Sequence, residues 1–311
     1  MRISWREFVK QRFSRPSQFY AIGIEFGNTE LHISTFQKIS GKLLWVKQHS
    51  LPMVNWAAQL KNYVEQHHLK RTTCHVALAT HHYQILQIDK PDVEDAELSQ
   101  ALLWRVKEQM PGNDDIVFDH FDYPGISNAT ERVNVVAVAK KSMQEICKGI
   151  SRAELKLSSI GIEELATCEL IPRSDEAVIT LFRSHSDQVC LNIVKQGQLY
   201  FSRRLRGYEN LSSFSVEELQ MGVGDTLSVE IQRSMDYFES QLRQAPVKRI
   251  LLAVNSTNQQ ALADLIKELT FMPVEIFSPS IDALDDSLEV TSFCSLGIAL
   301  SNAIPGKEVS Q

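Results

Sequence analysis

The sequence predicts a two-lobed α/β fold, and three observations carry that expectation. A three-stranded meander opens each half of the chain. Helices and short apolar strands alternate after each meander. The 311 residues are enough for two domains of ordinary size. With 43% apolar residues each lobe has material for a core, and the 23% charged residues are typical of globular chains. The net charge of −6 supplies no global attraction for nucleic acid, so no nucleic-acid partner is expected. No apolar run approaches the roughly 18–20 residues that span a bilayer. Residues 1–18 carry Arg2, Arg6, Lys10, Arg12 and Arg15 without the apolar stretch of a signal peptide. Cys74, Cys147, Cys168, Cys190 and Cys294 are scattered and odd in number, which predicts free thiols in a reducing compartment, hence the cytoplasm.

Strands are expected at Tyr20–Ile24, Leu31–Phe36 and Leu43–Val46, joined by turns at Gly27-Asn28 and Ser40-Gly41. Trp56, Leu60, Tyr63 and Val64 give one face to a helix from Asn55 to His67. Strands at Cys74–Ala79 and Gln84–Ile88 follow. Pro91 opens a helix whose stripe is Leu98, Leu102, Val106 and Met110, stopped by Pro111-Gly112. Ile116–Tyr123 pairs with Arg132–Ala139. Helices over Ser142–Ser151 and Ile162–Leu170 flank a short strand near Leu157–Ile160, and Pro172 marks a boundary. The second half begins with strands at Ala177–Phe182, Gln188–Val194 and Gln198–Arg203. A long helix from Thr226 to Leu242 buries Leu227, Ile231, Met235 and Phe238. The strand Lys248–Val254, the helix Asn258–Leu269, the strand Val274–Phe277 and the helix Ser292–Ala303 complete the chain, with a disordered tail over 305–311.

A shift of 156 residues lays Gly41 on Gly197, Leu43 on Leu199 and Trp45 on Phe201. A repeat of that length describes two related lobes, and a cleft between lobes is a natural ligand site. The first turn, Ile22-Gly23-Ile24-Glu25-Phe26-Gly27-Asn28-Thr29, sets a carboxylate two residues before a glycine. Such a turn suits a phosphate on its backbone N–H groups, with the carboxylate holding Mg²⁺ through water. An ordinary hairpin with glycine in the left-handed region is the competing reading.

The turn at Ile22–Thr29, the helix Glu230–Glu239, the strand Arg249–Val254 and the closing helix Ser295–Leu300 together resemble the actin/Hsp70 ATPase fold. More narrowly, the chain is similar to the PilM family of type IV pilus assembly proteins. The resemblance covers roughly Phe19 to Asn302. It implies an actin/Hsp70-like, duplicated RNase H-like α/β fold. The first lobe would be 19–172 with an inserted subdomain near 92–157, and the second 173–304 with a trimmed subdomain near Ser215–Asp225. It implies ATP with Mg²⁺ in a cleft lined by Gly23, Glu25, Gly27, Asn28, Thr29, Arg183, Asn255 and Ser256. This sequence departs from the family there. Glu25 stands where Asp is usual, and Leu181-Phe182-Arg183 where Asp-x-Gly is usual. Val254-Asn255-Ser256 replaces a Gly-Gly turn, and Glu30, Leu31 and His32 stand where a Lys a few residues after Gly27 is usual. A side chain in place of glycine bars close backbone approach to phosphate, and one carboxylate holds Mg²⁺ less firmly than two. The expectation is a binding scaffold without ATP turnover, Arg183 leaving electrostatic phosphate binding open.

The resemblance also implies partners: the cytoplasmic N-terminal peptide of a PilN-like bitopic inner-membrane protein, the assembly motor ATPase, and a ring or other homo-oligomer. The peptide groove would lie between the first lobe and its insertion, with residues that the sequence leaves unknown. Trp104 and Arg105 are candidate anchors, with a core role for Trp104 and a solvated one for Arg105 as the plainer readings. Trp5, Phe8, Val9 and Phe13 among basic residues suit either an anionic membrane surface or a docked extension. His67-His68 and His81-His82 lack metal-ligand spacing. Ser184-His185-Ser186-Asp187 has hydrolase residue types but no triad geometry. Glu163-Glu164 and Asp285-Asp286 read as solvated or capping charges. Two rival functions stay open: a nucleotide-regulated ATP-binding protein, and a small-molecule kinase of the same superfold.

Overall fold

The computed structural model describes residues 18–110, 115–124, 131–183, 188–254, 256–285 and 287–301. The basic segment 1–17, the stop at Pro111-Gly112, the Ser184–Asp187 turn, Asn255, Asp286 and the tail lie outside the described residues. The first sheet contains β1 (Phe19–Phe26), β2 (Glu30–Ile39), β3 (Lys42–Pro52), β4 (Thr73–Leu78) and β8 (Lys156–Ile162), in the order β3-β2-β1-β4-β8. The second contains β9 (Val178–Arg183), β10 (Val189–Lys195), β11 (Gln198–Leu205), β12 (Arg249–Ala253) and β13 (Val274–Ile276), in the order β11-β10-β9-β12-β13. In both sheets the meander is antiparallel and the later strands run parallel to its first strand.

The duplication is written in turn chemistry. Ser40 and Gly41 have φ of 53° and 84°; Gln196 and Gly197 have 54° and 74°. Two consecutive left-handed residues match the strand twist in a two-residue hairpin. At the first strand of each meander, however, the 156-residue shift fails. Ile22, Ile24 and Phe26 enter the core beneath α1 (Trp56–Gln66) and α3 (Lys140–Arg152), so Gly23 and Glu25 face the other side. In β9 it is Ile179 and Leu181 that enter the outer core, beneath α5 (Gly224–Ser240) and α6 (Gln259–Thr270). Strand side chains alternate, so the residue on the face of Glu25 is Phe182 and not Leu181. The first β-hairpin differs too. Gly27 has no left-handed φ, and its N–H donates to Glu30 O at 3.0 Å within the turn.

Between the inner faces of the sheets lie α4 (Glu163–Cys168) and α7 (Phe293–Leu300). The closing helix α7 was expected in the second lobe, but it packs on β1, β2, β4 and α4 of the first. Residues before it add to the edge of β3, where Trp45 N–H donates to Asp282 O and Leu284 N–H to Trp45 O. Two glycines allow this return. A Cβ on Gly23 would lie 2.0 Å from Ser295 O, and one on Gly297 2.0 Å from Ala166 O.

The inserted subdomain is a three-stranded sheet, β5-β7-β6, from β5 (Tyr83–Asp89), β6 (Ile116–Asp122) and β7 (Arg132–Ala139). The helix α2 (Asp95–Gln109) covers one face with Leu98, Leu102 and Val106. The insertion therefore begins near Tyr83 and ends near Ala139, earlier at both ends than 92–157. The helix α3 and β8 belong to the first lobe's own core and sheet. Trp104 is 68% exposed, against its expected core role, because it lies off the α2 stripe. In the second lobe, a short helical turn at Val216–Glu218, opened by a Ser215–Glu218 capping box, precedes α5. Among the described residues no helix is long and apolar enough to cross a membrane.

Gly23→Ala forces a methyl group into the β1–α7 contact. Overpacking of this kind costs about 1–3 kcal/mol. Denaturant unfolding should show that loss, whereas Gly41→Asn, at an open left-handed turn position, should be nearly silent.

Candidate functional site

Of the residues expected to line a nucleotide cleft, Gly23, Glu25, Gly27, Arg183 and Ser256 lie on or just beyond β1, β9 and β12, and Glu25, Gly27 and Ser256 are bonded within the protein. Glu25 is fully buried, and its Oε2 accepts from Ser292 Oγ at 2.6 Å. Ser292 is the N-cap of α7, and its Oγ also accepts from Ser295 N–H at 2.9 Å. Gly23 lies under the same helix. Asn28 and Thr29 are exposed, and Thr29 O accepts from Met53 N–H. Across the cleft Phe182 stacks on Phe293 (5.3 Å between centroids) and meets Phe277 at 5.1 Å. Where the first sheet carries the Glu25 carboxylate, the second carries an aromatic ring. Arg183 is half-buried at the end of β9. Ser256 turns to α6, its Oγ accepting from Asn258 N–H at 3.1 Å. Thr80 Oγ1 donates to Gln188 Oε1 at 3.4 Å, a direct tie between lobes.

Glu163 and Glu164 open α4 and are both buried, not solvated. A carboxylate in the first turn of a helix meets the positive end of the backbone dipole. Glu164 joins three parts of the molecule. It belongs to the first lobe, it accepts from the Tyr83 hydroxyl of the insertion, and its Oε1 is 3.8 Å from Arg204 of β11. Burial raises its carboxyl above the ordinary value, while the Tyr83 bond and Arg204 pull the other way. The Cys294 thiol is also pushed up, by burial first and then by the Glu25, Glu163 and Glu164 carboxylates. All five cysteines are free thiols. The His81 and His82 rings are 4.0 Å apart, and burial lowers His82 to about 4. Among the described residues no group of three or more His, Cys, Asp or Glu could hold a metal ion. Asp285 is exposed and accepts from Ser287 N–H, a local turn bond.

Sequence reasoning left the peptide groove without residues. A groove of about 320 Å³ separates the insertion from the first lobe. Five consecutive residues of β6, Val117–Phe121, line it, with Ile160, Gly161 and Ile162 of β8 opposite and Met143 and Leu165 at its floor. Strand side chains alternate between faces, so five consecutive lining residues bring the β6 edge to the groove, while Val136 and Val138 of the central strand β7 line it from the sheet's face. Both β6 and β8 are edge strands of their sheets. The early signal for this groove was the insertion itself; the pairing order that makes β6 an edge is not visible in a strand's own residues.

No family model matches the chain, and no curated protein sequence matches it. Solved structures do. One described as a PilM-PilN type IV pilus biogenesis complex superposes with a TM-score of 0.67 at 16% identity, covering 93% of this chain and 100% of that one. The cytoplasmic domain of EpsL, an inner-membrane component of the type II secretion system of Vibrio cholerae, has a TM-score of 0.50 at 9% identity, covering 90% and 94%. A Bacteroides thetaiotaomicron protein with an actin-like ATPase fold and unknown function has 0.49 at 11% identity, covering 86% and 93%. The chain has the actin-like ATPase fold.

A buried acid with a raised pKa keeps its proton in the folded state over a range where the unfolded chain has lost it. That contribution to stability is lost as pH rises above the ordinary value of 4.5. Glu164→Gln keeps an acceptor for Tyr83 and removes the titration. Its stability relative to the parent should therefore improve from pH 4.5 to pH 7.5 in paired denaturant titrations.

Proposed function

We propose that this chain is a cytoplasmic scaffold of a type IV pilus assembly complex, peripheral to the inner membrane through its partner. It grips the cytoplasmic N-terminal peptide of a PilN-like bitopic protein in the groove between β6 and β8. In the narrower reading the system is an MSHA-type pilus, the chain is MshI-like, and the partner is MshJ-like. The assembly motor ATPase and further copies of the chain are its other partners. The observation that carries the reading is the apolar groove with a sheet edge on each wall.

Backbone parity supports it. Lys140 N–H donates to Asp115 O at 3.0 Å, and the β6–β7 register is unbroken from there. Antiparallel pairs alternate between hydrogen-bonded and non-hydrogen-bonded. Phe118 and His120 therefore turn their backbone groups away from β7, toward the groove. An extended peptide takes main-chain bonds from such an edge and specificity from pockets for alternate side chains. The solved neighbours described as a pilus biogenesis complex and as a secretion-system component of the inner membrane favour the same role.

The nucleotide site is read as vestigial, the protein as a pseudo-ATPase. Glu25 is engaged by Ser292, Gly27 spends its N–H on Glu30, and Phe182, Phe277 and Phe293 occupy the opposing wall. Without positioned charge on both sides of a phosphate, phosphoryl transfer loses its main source of stabilisation.

A thermal melt tests both parts. A ligand at 100 times its Kd stabilises the native state by about 2.7 kcal/mol. The partner's N-terminal peptide should raise the melting temperature, and about 1 mM Mg-ATP should leave it unchanged. Met143→Lys, which puts a charge into the groove lining, should abolish the peptide shift in a variant whose far-UV circular dichroism still matches the parent. A Mg-dependent ATP shift would establish the nucleotide-regulated alternative. ATP consumption only in the presence of a small acceptor would establish the kinase.

A further inference from the structure

The insertion has a second edge. A cleft of about 550 Å³ separates β5 from the second lobe. Tyr83, Gln84, Ile85, Leu86 and Gln87 line it consecutively, and Leu199, Tyr200, Phe201 and Ser202 of β11 line the opposite wall consecutively. Both strands are the terminal members of their sheets, so their edges reach the cleft, and the row Gln87–Asn134–Phe121 lines it from the face of the insertion sheet.

The parity of β5 follows from its neighbour. Lys90 N–H donates to Glu131 O at 2.8 Å, and the β5–β7 register runs unbroken from Tyr83 to Asp89. Alternation then turns the backbone groups of Gln84, Leu86 and Ile88 to β7, and those of Tyr83, Ile85 and Gln87 to the cleft. The parity derived independently from the β6 side gives the same result, since Ala137 of β7 bonds to Gln84 and not to Phe118. Aromatic rings, among them Phe121, Tyr123 and Tyr237, stand around these groups beside the polar Gln84, Asn134 and Ser202. Among the described residues the charged side chains of the lining are Glu164 and Arg204, and they face each other at 3.8 Å. The cleft thus offers main-chain bonds, aromatic surface and a balanced charge.

We infer that the cleft between β5 and β11 is a second strand-acceptor site, taking an extended polypeptide segment of a partner whose central residues are uncharged and alternately apolar. The balanced Glu164–Arg204 pair leaves no net charge for a charged centre to match, and the outward-turned backbone of β5, faced by the edge strand β11, selects a peptide over a compact small molecule. Phe121 lines this cleft and the first-lobe groove alike, and Glu164 and Leu165 of α4 put adjacent residues into the two. The sites share a wall but use opposite edges of one sheet.

The test selects a displayed library of ten-residue peptides on the full chain carrying Met143→Lys, so that the first-lobe groove is blocked. Enriched sequences should alternate apolar and uncharged residues. A synthetic copy should slow hydrogen exchange at the Ile85 and Gln87 amides at least tenfold. It should bind the Gln87→Pro variant at least tenfold more weakly, because proline removes a cleft-facing N–H while sparing the ladder to β7. Copies N-methylated at alternate amides should lose binding for one parity only, a readout that needs no change to the protein. The inference is overturned if no sequence enriches, if protection falls on β6 and β8, or if both N-methyl parities bind equally. It is overturned in favour of self-association if Gln87→Pro changes the oligomeric state of the peptide-free chain.

Discussion

The closeness of α7 to its neighbours governs the rest of the molecule. The helix is packed against β1 at Gly23 and against α4 at Gly297, with no space for a Cβ at either contact. Because it comes from the end of the chain, it folds the last part of the sequence back onto the first sheet. Its N-cap, Ser292, reaches the buried Glu25, and Phe293 extends to Phe182 of the second lobe. One short helix therefore bonds a carboxylate of the first lobe and stacks a ring on the second. Two of the residues that the sequence marks for nucleotide, Gly23 and Glu25, are engaged by this helix instead.

Much of the architecture was legible. Both meanders, the Ser40-Gly41 and Gln196-Gly197 turns and the α2 stripe follow from local rules of turn chemistry and periodicity. What failed was whatever depends on register. A shift chosen on the second hairpin put Glu25 opposite Leu181. The faces of β1 and β9 put it opposite Phe182, because strand parity is a property of the packed sheet. The limits of the insertion failed likewise. Tyr83–Asp89 has the composition of a strand in either sheet, and only pairing assigns it to β7.

The candidate site was less legible than the fold. Gly23 looked like part of a phosphate turn and is a packing glycine. Glu163 and Glu164 read as solvated or capping charges; they do stand in the first turn of a helix, but buried. They are held inside by helix-end geometry and, for Glu164, by Tyr83 and Arg204, which are distant in sequence. The grooves were invisible for a related reason. A groove walled by backbone has no residue signature, and its chemistry lies in which N–H groups remain unpaired.

The edge geometry of the insertion has a mechanical side. A peptide seated along β6 between two sheets would be pulled parallel to its strand direction when its tether is loaded. Its hydrogen bonds would then be strained together in shear, rather than opened one after another as in peeling. The β6–β7–β5 sheet is itself clamped at both margins, by Tyr83 to Glu164 and by Tyr123 to Tyr237 at 3.3 Å between hydroxyls. Tension entering at one edge would cross three hydrogen-bonded strands and leave through tyrosine side chains into both lobes. Under such a load the three strands would share the tension between the two lobes.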